Sequence, residues 1–320
     1  MKFIELFAGI GGFRYGLESC NEHKKRISTR QHISSRRNST NFNKRNEKRR
    51  RDNPMYRCVW ANDNDKYACQ IYKKNFGKGV LHEGDIKTVD AGNIPDHDLL
   101  TGGFPCQSFS ITGKRKGFED TRGTLFFDIA RILDTKKPRM LLLENVKGLL
   151  SHDNGNTFRT ILWILHELGY DIQWQVLNSK DFGVPQNRER VFIIGHLRGT
   201  RRPEIFPFQK YFVKKEKYNE KINQKNFKIK TKEYLTNSNQ WNVVYELDGI
   251  APTLTTFEIA IPLLYFDEYK IRRMTPIEIE RCQGFPDNWT KGVNDKQRYI
   301  ILGNAVMPNI IMKIGKRLKW

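Results

Sequence analysis

An α/β fold built on a parallel sheet, joined to a smaller second domain, is what this 320-residue chain predicts. Three observations carry the prediction. Apolar strand-like runs alternate with segments of helical spacing up to residue 199. A glycine-rich turn joins the first strand to the first helix. From about residue 200 to 271 the alternation stops, and lysines mix with Phe, Tyr and Trp in short β-like runs. Strands that alternate with helices lie parallel in one sheet, and ligands of such sheets gather at the carboxyl ends of the strands.

The elements follow in order. Lys2 to Phe7 reads as a strand, Ala8-Gly9-Ile10-Gly11-Gly12 as a tight turn, and the residues up to Cys20 as a helix. Residues 57–63 form a second strand ending in Asp63, followed by a helix from Lys66 to Asn75. Asp98 to Thr101 is a short strand running into Gly102-Gly103-Phe104-Pro105-Cys106. Leu125 to Leu133 has helical spacing and is closed by Pro138. Met140 to Leu143 is a buried-strand run ending in Glu144-Asn145, Phe158 to Leu168 is helical, and Val191 to Gly195 is a strand.

Fifty-six Lys and Arg face thirty-five Asp and Glu, a net charge of +21 that suits a polyanion, because each neutralised phosphate releases condensed counterions. Charge alone does not separate DNA from RNA or an acidic membrane. Much of it sits between Lys24 and Arg51, where about a dozen basic residues accompany one acid, Glu47, and one aromatic, Phe42. That composition builds no core, and it falls where a connection of about 2–6 residues is usual. It reads as a basic insertion spanning about residues 21–56.

Five scattered cysteines without a Cys-x-x-Cys pair argue against a disulfide framework and against a zinc site, so no metal is expected. The N-terminus enters a strand without a charged leader, and no apolar run approaches ~20 residues. A cytoplasmic protein is expected.

The chemistry-bearing residues lie at strand ends. Phe7 through Gly12 lets helix amides approach a ligand closely, and Asp63 at the next strand end is placed to accept from ribose hydroxyls. Taken alone, the turn is often structural and Asp63 a strand-end cap. Asp85, in Gly84-Asp85-Ile86, either accepts from an adenine amine or makes an Asx turn. Together the three suggest an adenosine-containing cofactor.

Cys106 follows a glycine-bearing strand end on a loop, where a nucleophile belongs, although an isolated cysteine is more often a small buried hydrophobe. The polar stretch from Phe104 to Gly123 contains Gln107, Ser110, Thr112, Lys114, Arg115 and Arg122 and suits a lid over nucleic acid. Glu144 is either a solvated strand end or an acid/base group aimed into the cleft. In Gln186-Asn187-Arg188-Glu189-Arg190, two arginines at spacing two point the same way from an extended chain, unless they are surface charge.

Read jointly, these residues resemble the DNA cytosine-5 methyltransferases, particularly those of bacterial restriction-modification systems. The resemblance runs in order. Phe7-Ala8-Gly9-Ile10-Gly11-Gly12, Ala61-Asn62-Asp63 and Gly84-Asp85-Ile86 are similar to the family's cofactor motifs. Gly103-Phe104-Pro105-Cys106-Gln107-Ser108-Phe109-Ser110 resembles its catalytic loop, and Glu144-Asn145-Val146 its carboxylate motif. Gln186 to Arg190 matches its Gln-x-Arg-x-Arg signature. Arg273-Met274-Thr275-Pro276, Gln283-Gly284-Phe285-Pro286 and Gly303-Asn304-Ala305-Val306 resemble its last two motifs.

The resemblance implies a Rossmann-like methyltransferase domain on a mixed, mostly parallel sheet (residues 1–199 and 272–320), with a target-recognition domain at 200–271. It implies Cys106 as nucleophile, with Glu144, Arg190 and the adjacent Arg188 around the cytosine. Phe7, Gly9, Ile10, Gly11, Gly12, Asp63, Asn64, Asp85, Ile86, Pro105, Asn304 and Ala305 would line an S-adenosylmethionine pocket. Gln107, Ser110, Thr112, Lys114, Arg115, Arg122, Thr253 and Leu254 would meet double-stranded DNA. A monomer associated with the nucleoid through DNA is implied, with a cognate restriction endonuclease acting on the same site without a stable complex. Asp63 stands where many members have Glu, and Asn64 where an apolar or aromatic residue often packs on adenine. A tRNA-modifying relative on the same fold would carry a Cys-Phe-Thr tripeptide, which is absent from this sequence.

Overall fold

Seven strands form one sheet in the order β3-β2-β1-β4-β5-β7-β6. The computed structural model describes residues 1–21, 54–105, 125–208, 244–245, 251–254, 263–267 and 270–318. The strands are β1 (Lys2–Leu6), β2 (Arg57–Asp63), β3 (Leu81–Glu83), β4 (Leu99–Gly103), β5 (Met140–Val146), β6 (Tyr170–Asn178) and β7 (Glu189–Leu197). The helices are α1 (12–21), α2 (Lys66–Phe76), α3 (Leu125–Lys136), α4 (Asn156–Glu167), α5 (Pro276–Cys282), α6 (Asp295–Asn304) and α7 (Pro308–Arg317).

Pairings among β1 to β5 are parallel, and β7 runs antiparallel to both β5 and β6. The sheet is therefore mixed and mostly parallel, and one strand departs from a simple parallel reading. Strand β6, unanticipated in the sequence, occupies the edge. β1 and β4 are neighbours although β2 and β3 extend the other way, so the crevice at their carboxyl ends is the topological switch point where such folds bind ligands.

Period-two alternation divides the core. Leu142, Phe192 and Ile194 face one side with Phe13 and Leu17 of α1 and Ile311 and Ile314 of α7. Leu141, Leu143 and Ile193 face the other, with Ile129 and Leu133 of α3 and Ile161 and Leu165 of α4. A third cluster joins Ile10 of the glycine turn to Leu254, Ile279, Phe285, Leu302 and Ala305, which seats the C-terminal helices against the cofactor-type turn. Helix α5 opens with a full capping box between Thr275 and Glu278, with Pro276 in the first turn.

The rhythm change at residue 200 does not coincide with a break in packing. Ile205, Phe206 and Phe208 are buried in the main core, and Gln173 and Gln175 of β6 accept hydrogen bonds from the backbone of residues 205, 206 and 208. The large body therefore continues to residue 208. Beyond it, β8 (Val244–Tyr245), β9 (Leu263–Asp267) and β10 (Lys270–Arg273) form a separate three-stranded sheet, with β9 central. The basic insertion lies outside the described residues except at its roots. There the Asn21 side chain donates to Tyr56 O (2.9 Å) and accepts from Tyr56 N (3.0 Å), so the two ends meet at the start of β2.

Candidate functional site

At the switch point, β1 turns into α1 through positive-φ backbone at Phe7, Gly9 and Gly11. The glycines serve different ends. A Cβ at Gly11 would strike the Phe76 ring and one at Gly12 the Val306 carbonyl, whereas nothing lies within 4 Å of the position a Cβ would take at Gly9. The turn is thus packed hard from behind and open over Gly9.

Asp63, at the end of β2, accepts from Gly9 N–H through Oδ2 (2.7 Å) and from Asp65 N–H through Oδ1 (2.8 Å). Burial raises its pKa, and these amide bonds counter the rise. The carboxylate expected at the ribose is also the brace of the turn. Asn62 donates to His82 O and Gly84 O, which draws the Asp85 turn toward the end of β2. Asp85 makes the Asx cap: its Oδ1 accepts from Lys87 N (3.0 Å) at the head of a short 3-10 turn, with Ile86 buried beneath. Asn64 and Asn304 are exposed on this rim, and Ala305 is buried just inside it. Ile10 has its side chain in the core, so only its main chain faces the turn. An open glycine cradle, a carboxylate at the second strand end and a third acid beyond form a donor set that fits an adenosine-bearing cofactor.

Two residues that sequence reading passed over hold this turn. Glu5, inside β1, is fully buried; its Oε1 accepts from Phe13 N (3.1 Å) and Arg14 N (3.2 Å), and Tyr72 Oη donates to its Oε2 (3.2 Å). It caps α1 from beneath, and burial pushes its pKa up to about 8. An acid between Ile4 and Leu6 in an apolar strand was the available signal. The second is Trp289, whose Nε1–H donates to Ile10 O (3.0 Å) while its ring lies against Tyr15, Phe76 and Phe285.

The Glu5 carboxyl makes folding pH-dependent with a definite sign. Its pKa rises from 4.5 in the unfolded chain to about 8 in the folded one, so its contribution is complete below 4.5 and is lost as pH rises through 8. Between pH 5 and 8 the wild type should lose stability relative to Glu5→Gln by on the order of a few kcal/mol. Chemical denaturation of both proteins across that range checks this; parallel curves would contradict it.

On the other side of the switch point, β4 and β5 pair Gly103 with Glu144. A Cβ at residue 103 would lie 3.2 Å from Glu144 Oε2, so glycine there leaves room for the carboxyl. Glu144 is 9% exposed, and its Oε1 meets Arg190 Nε at 3.1 Å. Burial raises the Glu144 pKa against the opposing pull of Arg190 and then Arg188. Asn145 Nδ2 donates to Phe104 O (2.8 Å), and Asn145 Oδ1 accepts from Val146 N (2.8 Å). The end of β5 thus pins the chain two residues before Cys106. Phe104 is buried and Pro105 exposed. Cys106, Gln107, Ser110, Thr112, Lys114, Arg115 and Arg122 lie outside the described residues.

Two expectations are corrected. Arg188 lies just before β7, and the hydrogen bonds of its guanidinium go to main-chain carbonyls, whereas it meets Glu144 only through charge. It turns inward, donating through Nη1 to Leu254 O (3.0 Å) and through Nη2 to Gly303 O (2.8 Å) and Ala305 O (3.2 Å). Leu254 was expected at DNA, but its side chain is 3% exposed and packed with Ile10 and Ala305. Thr253 is exposed, and its Oγ1 donates to Asn187 O (2.7 Å).

Comparison with known proteins agrees with this geometry. The family model described as C-5 cytosine-specific DNA methylase matches residues 1–257 and 208–320. The chain is 36% identical to the type II methyltransferase M.HhaI of Haemophilus parahaemolyticus, over 98% of this chain and 93% of that one. It is 37% identical to the type II methyltransferase M.NlaX of Neisseria lactamica, over 99% of this chain and 96% of that one. Among solved structures, the Dnmt2 methyltransferase of S. pombe superposes with a TM-score of 0.68 at 21% identity, covering 99% of this chain and 98% of that one, a likeness of fold. A glycine turn and acids suited to S-adenosylmethionine, a buried carboxyl–guanidinium pair beside the strand end that leads into Cys106, and relatedness along nearly the whole length lead to one conclusion: the chain belongs to the C-5 cytosine-specific DNA methylases, enzymes that transfer a methyl group from S-adenosylmethionine to carbon 5 of cytosine in DNA.

Proposed function

We propose that the chain methylates one short sequence in duplex DNA through addition of Cys106 to C6 of a flipped-out cytosine, as the modification half of a restriction-modification system. The observation that carries the mechanism is the Glu144–Arg190 pair at the carboxyl end of β5, buried beside the strand end that leads into Cys106.

C5 of cytosine is a poor nucleophile, and a thiolate added at C6 makes C5 an enamine-like centre. When bound, S-adenosylmethionine supplies an electrophilic methyl group on a sulfonium. N3 gains electron density as Cys106 adds. With Arg190 Nε 3.1 Å from Oε1 of Glu144, Oε2 is the oxygen assigned to carry the proton to N3, and burial favours that protonated form. Arg190 offsets charge developing at O2. Once C5 has taken up the methyl group, its proton leaves, to water in this reading, and the Cys106 sulfur departs by elimination as the C5–C6 double bond re-forms. Gly9, Gly11, Asp63, Asp85 and Asn304 would hold and orient the cofactor in this reading, while Gly103 leaves room for the Glu144 carboxyl and Asn145 fixes the root of the catalytic loop.

Cys106 cannot reach C6 in stacked DNA; extruding the base costs a few kcal/mol, which contacts to the backbone must offset. Lys114, Arg115 and Arg122 are assigned to phosphates, with Gln107, Ser110, Thr112 and Thr253 along the same strand. Residues from 209 to 271 are assigned to target recognition. The relatives' designation as type II methyltransferases supports the restriction-modification setting and a cognate endonuclease that reads the same site independently. We assign the protein to the cytoplasm as a monomer on DNA. Incubation with labelled methyl donor tests the activity: label should enter 5-methylcytosine in duplex DNA, and label in tRNA instead would overturn the DNA assignment.

The basic insertion adds sequence-independent affinity in this account. Its root lies at the start of β2, about 20 Å along the strand from Asp63. Because Asn21 and Tyr56 already pair, deleting residues 24–51 leaves the fold's closure intact. The deletion should weaken binding to all duplexes alike and reduce the salt slope, while sparing kcat at saturating DNA. Salt-dependent binding isotherms check it; an unchanged slope would contradict it.

A further inference from the structure

Arg188 is 2% exposed, and the hydrogen bonds of its guanidinium go to main-chain carbonyls, so that it joins three distant pieces of chain. Gly303 O and Ala305 O, which take its Nη2, flank the exposed Asn304 at the carboxyl end of α6, where unpaired carbonyls and the helix dipole favour a cation. Leu254 O, which takes its Nη1, ends the described segment 251–254. That segment is tied to the residues just before Arg188: Ala251 N donates to Pro185 O (2.7 Å), Asn187 N to Ala251 O (2.8 Å), and Thr253 Oγ1 to Asn187 O (2.7 Å). The Leu254 side chain meanwhile packs in one cluster with Ile10 and Ala305. Arg188 N–H is itself held by Asn178 Oδ1 and Ser179 Oγ, each at 3.2 Å, so the guanidinium pivots on a fixed backbone.

A charge buried this deeply is expensive; burial and the neighbouring Arg190 push the Arg188 pKa down to about 9, and Glu144 offsets only part of this. A greasy side chain of similar volume would fill the space at lower cost. What it would lose is a single rigid fork reading the Leu254 carbonyl on one side and the Gly303 and Ala305 carbonyls on the other.

We propose that Arg188 is a positioning residue that couples the seating of segment 251–254 on DNA to the rim of the cofactor pocket at Asn304–Ala305, so that DNA and cofactor bind cooperatively. This rests on the reading of that segment as part of the DNA-recognition region. Coupling of this kind is reciprocal: whatever factor DNA applies to cofactor affinity, cofactor applies to DNA affinity.

The test is the Kd of S-adenosylhomocysteine with and without a saturating duplex that carries the sequence the wild type methylates. The wild type should bind it at least about fivefold tighter with duplex present. Arg188→Lys, which keeps the cation but loses the fork, and Thr253→Val, at an exposed position where folding is not at stake, should both bring that factor below about twofold, whereas Arg190→Lys should lose methyl transfer and keep the factor. A merely structural Arg188 would lower Tm and scale both Kd values together; an unchanged ratio in both Arg188→Lys and Thr253→Val, or a wild-type ratio of one, overturns the proposal. If the wild type methylated no DNA at all, the functional reading would fail first, and visibly so.

Discussion

Cys106→Ser should eliminate methyl transfer to cytosine, by on the order of a thousandfold or more, while leaving S-adenosylhomocysteine binding intact. The expectation follows from the order of bond making. Only a thiolate is both nucleophilic enough to add at C6 and a good enough leaving group to depart from it at neutral pH; a serine hydroxyl has no general base assigned to it in this site. Apart from Pro105, the residues assigned to the cofactor lie on the turn after β1, at the end of β2, in the Asp85 turn and in the C-terminal segment, which are held by contacts among themselves. Methyl incorporation and calorimetric binding, measured side by side, separate the two effects. A variant that lost both would point to a folding defect, and one that kept transfer would contradict the covalent route.

Glu144→Gln should lower kcat by about 10²–10⁴-fold with little change in cofactor affinity. Its carboxyl is buried between Gly103 and Arg190, and burial shifts it toward the protonated form needed at N3. The sign of the pH effect follows. A raised pKa keeps the acid protonated further toward neutrality, and activity that depends on the proton falls as pH rises through the folded-state value. The wild-type rate should therefore carry an alkaline limb that the glutamine variant lacks. The substitution also leaves Arg190 and Arg188 without their nearby carboxylate, so a moderate loss of Tm is expected beside the kinetic loss. A kcat profile of equal shape in the two proteins would remove Glu144 from the proton-donating role.

Much of this site was legible before any coordinates. The glycine turn, Asp63, Asp85 and Glu144 each follow an apolar run, as does the strand end that leads into Cys106, and strand ends are where α/β folds expose chemistry. Residues 57–63 coincide with β2, and helix α2 ends one residue from its expected boundary. What escaped was long-range. Tyr170, Ile172, Trp174 and Val176 alternate as a strand should, but the expected α/β rhythm drew attention to the helix before them; only the antiparallel β7 reveals β6 as its edge partner. Helix α6 mixes charges with Tyr299 and Ile300 and owes its burial to neighbours rather than to an apolar stripe. That Arg188 spends its guanidinium on main-chain carbonyls while Arg190 meets Glu144 could not be read from their spacing. Phe206 and Phe208 looked like part of the second domain because aromatics among lysines end a rhythm, yet they cover the large sheet and take Arg317 over the Phe208 ring.

Trapping on a 5-fluorocytosine-containing duplex tests the account most directly, because fluorine at C5 blocks the final elimination. With S-adenosylmethionine present, the wild type should form a denaturation-resistant adduct whose DNA-bearing peptide contains residue 106, and Cys106→Ser should form none. No adduct from an active wild type, or one that persists after the sulfur is removed, would contradict it.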